Sequence, residues 1–347
     1  MLADLEELVR CESFSSDRAA VERSARTVAR QGAKLLGATP EIIDGIHVRW
    51  TFGGAPRVLL LGHHDTVWPV GTLERLPWSV TDGIARGPGV FDMKAGLVQM
   101  FHALTRLPSL DGITVLVTGD EEIGSPTSRG LVEECARGRA ATFVLEASAD
   151  GGALKTARKG ASWYELIVYG RAAHAGLEPA KGVNAAIEAA HQILAVSRLA
   201  GSDGTTVTPT LVSAGTTGNT VPERATVSVD VRVPTQQAQA RIDKLMRALT
   251  PVLPGARLEV RGGQNRPPLE PAAHLFELAR RLATEPLTGV AVGGASDGNF
   301  TAGVGCPTLD GLGAVGGGAH ADDEHVVVDR LPVRARLLAD LIAEVAR

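Results

Sequence analysis

The sequence is poor in cysteine: its 347 residues include only three, at Cys11, Cys135 and Cys306. An odd number of widely separated cysteines gives neither a disulfide framework nor a cysteine-rich metal motif. Reduced thiols are typical of proteins that work in a cytoplasm, so cysteine usage predicts a cytoplasmic location.

The sequence also lacks a long apolar run and an excess of basic charge. No segment is long enough to span a bilayer, and charge appears from Asp4 onward, without the apolar core of a signal peptide. Lys and Arg number 35 against 39 Asp and Glu, a formal net charge of −4, which gives no basic stripe for nucleic acid. We therefore expect neither a membrane nor a nucleic-acid partner.

Glycine is abundant, at 40 residues, and the apolar content of 44% is enough for sizeable cores. Three almost continuous apolar runs, at 58–62, 114–119 and 141–146, are typical of strands buried on both faces. Apolar residues at helical spacing lie between them. This alternation predicts an α/β domain with a mainly parallel sheet and helices on both faces.

The pattern changes near Gly160. Residues 163–170 alternate apolar and polar side chains, as in a half-exposed antiparallel strand, and a helix follows with Asn184 as its N-cap. The order strand, helix, strand, strand, helix, strand is that of a ferredoxin-like α+β domain. We predict a first domain built from residues 1–159 and 270–347, with an inserted domain over residues 160–269.

Ionisable side chains follow all three apolar runs and also occur in two glycine-rich loops. Functional groups collect at the carboxyl ends of parallel strands, so these side chains should share one edge of the sheet. So many carboxylates would repel one another without a divalent cation, and histidine with carboxylates but no cysteine suits zinc or a similar metal. The candidate ligands are His63, Asp92, Glu122, Glu146 and His320.

Other interpretations remain open for single residues. Asp92 stands before a helical pattern and could be its N-cap. His64 lies next to a candidate ligand but on the opposite face of an extended segment. The glycine loop before Asp92 fits a nucleotide-binding motif incompletely, because Asp92 occupies the place of the last glycine and no Lys-Ser/Thr pair follows.

Five segments, taken in order, resemble the dinuclear zinc metallopeptidase family that includes glutamate carboxypeptidase, acetylornithine deacetylase and succinyl-diaminopimelate desuccinylase. They are HHDTV (63–67), GPGVFDMKAG (87–96), GDEEIGS (119–125), FVLE (143–146) and AHADDEHV (319–326). The similarity covers nearly the whole chain and is greatest to the glutamate carboxypeptidase branch. It implies two Zn²⁺ per chain, with Co²⁺ or Mn²⁺ as other possible metals, and a zinc-binding catalytic domain with an inserted dimerisation or lid domain.

The resemblance also implies a role for each ligand. One metal would be bound by His63 and Glu146, the second by Glu122 and His320, and Asp92 would bridge both, followed by a peptide bond that is often cis in the family. Asp65 would orient His63. Glu121 would be the general base that takes the proton of a water molecule between the metals, leaving a hydroxide, and passes it to the leaving amine.

The implied reaction is hydrolysis of an amide bond next to a free α-carboxylate, in a small peptide. The alternative is removal of an acetyl or succinyl group from an N-acyl amino acid by the same mechanism. The acidic sequence after His320 departs from the family pattern and leaves the partner of Glu324 open.

The inserted domain carries further residues that match the family. In GRAAHAG (170–176), His174 would enter the active site of a partner subunit and stabilise the oxyanion, which implies a homodimer. Guanidinium groups suit recognition of the substrate carboxylate. The implied substrate-binding residues are Asn219, Arg232, Arg266 and, in the loop GGASDGN, Gly294.

Overall fold

The computed structural model describes all 347 residues. The helices are α1 (Leu2–Arg10), α2 (Arg18–Leu36), α3 (Thr72–Arg75), α4 (Ala95–Leu104), α5 (Arg129–Ala136), α6 (Ala185–Ser197), α7 (Gln236–Arg247), α8 (Ala273–Leu282), α9 (Gly298–Gly303) and α10 (Arg330–Ala346). The strands are β1 (Glu41–Ile43), β2 (His47–Thr51), β3 (Val58–His63), β4 (Ser79–Thr81), β5 (Ile84–Arg86), β6 (Ile113–Thr118), β7 (Ala141–Val144), β8 (Leu154–Arg158), β9 (Gly160–Tyr169), β10 (Thr206–Ala214), β11 (Arg224–Val233), β12 (Arg257–Arg266), β13 (Gly289–Val292), β14 (Thr308–Leu309), β15 (Gly316–Gly317) and β16 (His325–Val327).

The chain folds as two compact units. Unit 1 comprises Met1–Ala157, Glu270–Val292 and Ser296–Arg347, and unit 2 comprises Arg158–Leu269 and Gly293–Ala295. The main segment of unit 2 begins and ends at paired residues, since the backbone N–H groups of Arg158 and Leu269 each donate to the other's carbonyl at 3.0 Å. None of the helices combines the length and apolar character needed to cross a bilayer. All three cysteines are free, and the cytoplasmic location stays a prediction.

The main sheet of unit 1 has the strand order β1-β2-β6-β3-β7-β14. Strands β6, β3, β7 and β14 run parallel, and β1 and β2 extend the sheet as antiparallel strands. The side chains of β3 alternate between two cores: Leu60 packs in the core that contains α4 and α10, and Leu59 and Leu61 pack in the core that contains α5 and α9. Helices therefore cover both faces, and the predicted fold class is confirmed.

Unit 2 contains one antiparallel sheet in the order β10-β11-β9-β12. Buried residues of α6 and α7 pack with this sheet in a single core. The predicted ferredoxin-like order of elements is present, and Asn184 caps α6, its side chain accepting hydrogen bonds from the N–H groups of Ala186 and Ile187. Unit 2 is thus an α+β domain in which two helices pack against one antiparallel sheet.

Two features differ from the sequence-based expectation. Between β6 and β7, where helical spacing predicts a helix, the chain becomes α-helical only at Arg129, because Ser125 has a positive φ of 59° and the Asp120 carboxylate holds Thr127 and Ser128 in a turn through their N–H groups. A small sheet in the order β15-β16-β5-β4 was not predicted, since its strands are only two or three residues long.

Candidate metal centre

The five candidate ligands lie at the carboxyl edge of the main sheet. His63 ends β3, while Glu122 and Glu146 follow β6 and β7. Asp92 lies in a turn before α4, and His320 lies in the loop between β15 and β16, where its φ is 62°. Neighbouring parallel strands end at the same edge, so residues distant in the chain are brought together there.

Asp92 is the centre of the cluster. One oxygen, Oδ1, lies 3.4 Å from His63 Nε2, and the other, Oδ2, lies 3.3 Å from His320 Nε2. Glu146 Oε1 lies 3.5 Å from the same nitrogen of His63, and Glu122 Oε1 lies 3.3 Å from that of His320. Two groups of one histidine and one glutamate therefore share a single aspartate.

These side chains fit a pair of divalent cations. His63 Nε2 and Asp92 Oδ1 are buried without a hydrogen-bond partner, which is rare for buried polar atoms but expected of metal ligands. Two ligand atoms about 2.1 Å from a tetrahedral zinc ion lie about 3.4 Å apart, which matches the four nitrogen–oxygen distances of 3.3–3.5 Å. The donor set of imidazole and carboxylate suits zinc, cobalt or manganese.

Electrostatics in the cluster favour positive charge. Burial lowers the pKa of His63, but Asp65, Asp92 and Glu146 outweigh burial and hold that pKa well above its ordinary value. The carboxylates of Asp92 and Glu122 raise the pKa of His320 to about 10. Burial would raise the pKa of Asp92, yet the two imidazoles hold it well below its usual range. The metal-free protein therefore binds protons at the places where a cation would be bound.

Metal addition to the metal-free protein is expected to release protons near pH 8. Both imidazoles must be neutral to bind a cation, and the pKa of His320, raised from 6.5 to about 10, keeps that ring protonated at pH 8. Apparent metal affinity should therefore rise with pH up to about 10. Calorimetric titration with Zn²⁺ in buffers of different ionisation enthalpy measures this release. A heat of binding that is independent of the buffer would contradict the prediction.

Asp65 supports the cluster in two ways. Its backbone carbonyl lies 3.0 Å from His63 Nδ1, closer than its carboxylate Oδ1 at 3.4 Å. The carboxylate accepts hydrogen bonds from the Ser15 hydroxyl and from the backbone N–H groups of Glu121 and Glu122. Asp65 thus contacts the His63 ring and also binds the backbone of the turn that presents both glutamates, and its role in orienting His63 stays a prediction.

Glu121 lies in the same short turn, Glu121–Ile123, as Glu122. A ligand atom of Glu121 lies within 4.8 Å of ligand atoms of His63 and Glu146. Its carboxylate is therefore beside the cluster, at a distance from which it can serve either a proton-transfer or a ligand role.

Close backbone packing supports the Asp92 turn. The peptide bond between Asp92 and Met93 is cis, as the resemblance implied. A Cβ at Gly96 would lie 2.0 Å from the backbone oxygen of Leu145, so glycine allows α4 to approach the end of β7. The N-cap interpretation of Asp92 is wrong, because α4 begins at Ala95 after Lys94 and has no side-chain cap.

Glu324 is a site residue whose role sequence reasoning missed. Its carboxylate accepts hydrogen bonds from the backbone N–H groups of Gly89, Phe91 and Asp92 and from the indole of Trp68. Burial raises the pKa of Glu324, and the three backbone N–H groups oppose that shift. The only sequence signal was a glutamate near a candidate ligand.

The remaining predicted residues lie in unit 2. His174 and Asn219 are brought together, since the N–H of Ala175 donates to the Asn219 carbonyl and His174 forms a β-bridge with Thr220. The two N–H groups of Gly176 and Leu177 donate to His174 Nδ1. The His174 ring is exposed.

The two predicted arginines lie on either side of Ala161 in β9. Arg232 of β11 and Arg266 of β12 are each paired with Ala161 in the sheet register. Residues in such register project from the same face of a sheet. The Arg232 guanidinium donates to both oxygens of Asp230, whereas Arg266 is buried. The carbonyl of Gly294 accepts a hydrogen bond from the buried Arg158. Substrate-binding roles for these residues stay predictions.

Comparisons of the sequence with known proteins agree on one family. The sequence profile of peptidase family M20/M25/M40 matches residues 59–344. Carboxypeptidase G2 of Pseudomonas sp. (strain RS-16) is 29% identical, over 99% of this chain and 89% of that protein. Succinyl-diaminopimelate desuccinylase of Roseobacter denitrificans is 27% identical, over 97% of both.

Solved structures have the same fold. Aminopeptidase PepT from Bacillus cereus superposes with a TM-score of 0.78 at 22% identity, covering 100% of this chain and 98% of that one. The M20 family metallo-carboxypeptidase Sso-CP2 from Sulfolobus solfataricus gives a TM-score of 0.72 at 18% identity, covering 98% of each chain.

Proposed function

The chain belongs to peptidase family M20/M25/M40 and is a metallo-hydrolase, and from that premise we propose that it uses two zinc ions to cleave an amide bond next to a free α-carboxylate. The observation that carries the proposal is the position of Asp92, whose two oxygens face two different histidines at 3.4 and 3.3 Å. A carboxylate placed in this way is suited to bridge two cations.

Each group of ligands would hold one ion. His63 and Glu146 would bind the first, His320 and Glu122 the second, and Asp92 both. When bound, such ions polarise the scissile carbonyl and lower the pKa of a water molecule.

Glu121 is the proposed general base and acid. Its carboxylate lies beside the ligands without being needed to complete either group, so it can accept a proton from water and deliver that proton to the leaving amine. Asp65 contributes by holding the N–H groups of Glu121 and Glu122, which keeps the base and the neighbouring ligand in one fixed turn.

The substrate would carry a free carboxylate. Arg232 and Arg266 are suited to its recognition because they project from one face of the sheet of unit 2. The similarity to carboxypeptidase G2 favours a peptide or a similar C-terminal amide. The similarity to desuccinylases, over 97% of the chain, keeps deacylation of N-acyl amino acids as the second candidate.

A homodimer would complete the site. Unit 2 exposes large apolar side chains on α6 and on the edge strand β10, with exposed fractions of 51% for Ile187, 56% for Leu194 and 58% for Val212. Val212 is in register with Val227, which packs in the core with α6, so it projects from the face of the sheet that α6 covers. Apolar side chains exposed together mark an interaction surface. In the partner's site His174 would donate from Nε2 to the oxyanion, because its Nδ1 already accepts two N–H groups.

Metal analysis and a substrate panel test the proposal. We expect two zinc ions per purified chain, and hydrolysis of dipeptides or N-acylated amino acids that end in a free carboxylate but not of their C-terminal amides. Faster cleavage of N-succinyl or N-acetyl amino acids than of peptides would select the deacylase. Full activity with one ion or none would overturn the two-metal function.

Replacing His174 by Ala is expected to lower kcat by about 10²- to 10³-fold, the usual effect of removing one oxyanion donor, with metal content unchanged. Equal mixing with Glu121→Gln should restore about a quarter of wild-type activity, because half of the dimers are mixed and each mixed dimer regains one complete site. Absence of rescue in verified mixed dimers would contradict action in trans.

A further inference from the structure

A buried carboxylate outside the ligand set joins the loops that carry Asp92 and His320. Glu324 is 3% exposed and lies four residues after His320. Its Oε1 accepts from the backbone N–H groups of Phe91 at 2.9 Å and Asp92 at 3.0 Å. Its Oε2 accepts from the N–H of Gly89 at 2.9 Å and from Trp68 Nε1 at 2.7 Å.

These hydrogen bonds fasten a loop that is otherwise exposed. Residues 320–323 are all exposed, and His320 itself is in the left-handed region with φ of 62°. Within the loop the backbone forms only short turns, from Ala321 N–H to the Gly318 carbonyl and from Glu324 N–H to the Ala321 carbonyl. On the outside, Asp322 forms an ion pair with Arg75. Glu324 is therefore the inner attachment of the His320 loop.

The position requires a group that only accepts hydrogen bonds. Four N–H donors converge on two oxygens, and an ionised carboxylate supplies acceptor sites for all of them. A glutamine would have the same size but would turn an NH₂ group toward two of the donors. The substitution therefore loosens the attachment without leaving a cavity.

We propose that Glu324 is a positioning residue that fixes His320 relative to Asp92 and thereby sets the affinity for the second divalent cation, the one assigned to Glu122 and His320. The inference depends on the proposed two-metal function. The Glu324 side chain accepts hydrogen bonds from none of the candidate ligand atoms, and it acts on His320 by fastening the His320 loop to the backbone of the Asp92 turn.

Metal binding by Glu324→Gln tests this inference. We expect titration of the metal-free variant with Co²⁺, followed by visible absorption, to give one equivalent bound as in the wild type and a second bound about 10- to 100-fold more weakly. Asp323→Asn is the matched control, since it removes the same charge from the adjacent, exposed residue, and it should bind both equivalents normally.

A double-variant comparison separates positioning from general stabilisation. His320→Ala should lose the second equivalent, and adding Glu324→Gln to it should leave affinity for the remaining ion unchanged. If Glu324 only stabilised the fold, the substitution would weaken both equivalents alike, in the single and in the double variant. That result would overturn the inference.

Trp68→Phe keeps the experiment decisive if Glu324→Gln does not fold, because it removes a single donor to Glu324 and retains an aromatic ring. It should weaken the second equivalent in the same direction by a smaller factor. Normal binding of both equivalents by the foldable variants would overturn the inference and leave the proposed function intact. Fewer than two equivalents in the wild type would overturn both.

Discussion

Glu121→Gln is expected to lower kcat by about 10²- to 10⁴-fold, the range for loss of a general base, while both metal ions stay bound. Glutamine keeps the size and the backbone N–H that donates to Asp65, so only proton transfer is removed. Steady-state kinetics combined with metal analysis of the same preparation measures the effect. Normal turnover would refute the role of Glu121 as base.

The adjacent substitution, Glu122→Gln, is the matched control. It makes the same chemical change in the same turn, but it alters a side chain 3.3 Å from His320 Nε2. This variant should lose metal together with activity. The opposite result is physically possible, because Glu121 also lies close to His63 and Glu146. If Glu121→Gln lost an ion and Glu122→Gln kept two, the roles of the two glutamates would have to be exchanged.

Asp92→Asn should have the second large effect. The amide replaces one of the two oxygens by a donor and removes the negative charge that both ions would share, so binding of both ions should weaken and at most one should stay bound. Loss of metal activation removes several kcal/mol of transition-state stabilisation, and each 1.4 kcal/mol is about tenfold in rate, so activity should fall by about 10³-fold or more.

The effect of Asp92→Asn on metal content is compared with that of variants in which one histidine ligand is replaced. His63→Ala and His320→Ala should each remove one ion, whereas Asp92→Asn should affect both. Asp82→Asn controls for the chemical change, because Asp82 is an exposed turn residue of φ 52° in which asparagine is well tolerated. An Asp92→Asn enzyme that retained two ions and normal kinetics would exclude a bridging aspartate.

Much of the architecture could be predicted because the informative signals are local. The run Val58–His63 is buried at every position, as continuous apolar sequence indicates for a parallel strand covered on both faces. An ionisable residue directly after such a run must lie at the carboxyl edge of the sheet, so His63, Glu122 and Glu146 could be expected to meet. The short strands β15 and β16 carried no such pattern, and the sheet they form was missed.

The interactions of Glu324 could not be predicted, for a physical reason. Three of its four donors are backbone N–H groups, which every residue except proline has, and they lie 232 to 235 positions away in the chain. Spacing and residue type therefore give no sign of the contact. The contact between the Asp65 backbone carbonyl and His63 was also missed, although it is local, because every residue has a backbone carbonyl and the sequence suggested only the carboxylate of Asp65.

The paired ends of the main segment of unit 2 have a consequence for the history of the chain. Because Arg158 and Leu269 hydrogen-bond to each other's backbone, the segment between them leaves and re-enters at one point, as the two ends of a closed loop do. A gene could gain or lose such a segment in a single event, because the chain on either side of the segment already meets at one point. Because its ends are neighbours, the segment Arg158–Leu269 is suited to exchange with the corresponding segment of a relative. A short linker would be enough to join the two flanking parts of the chain if the segment were removed.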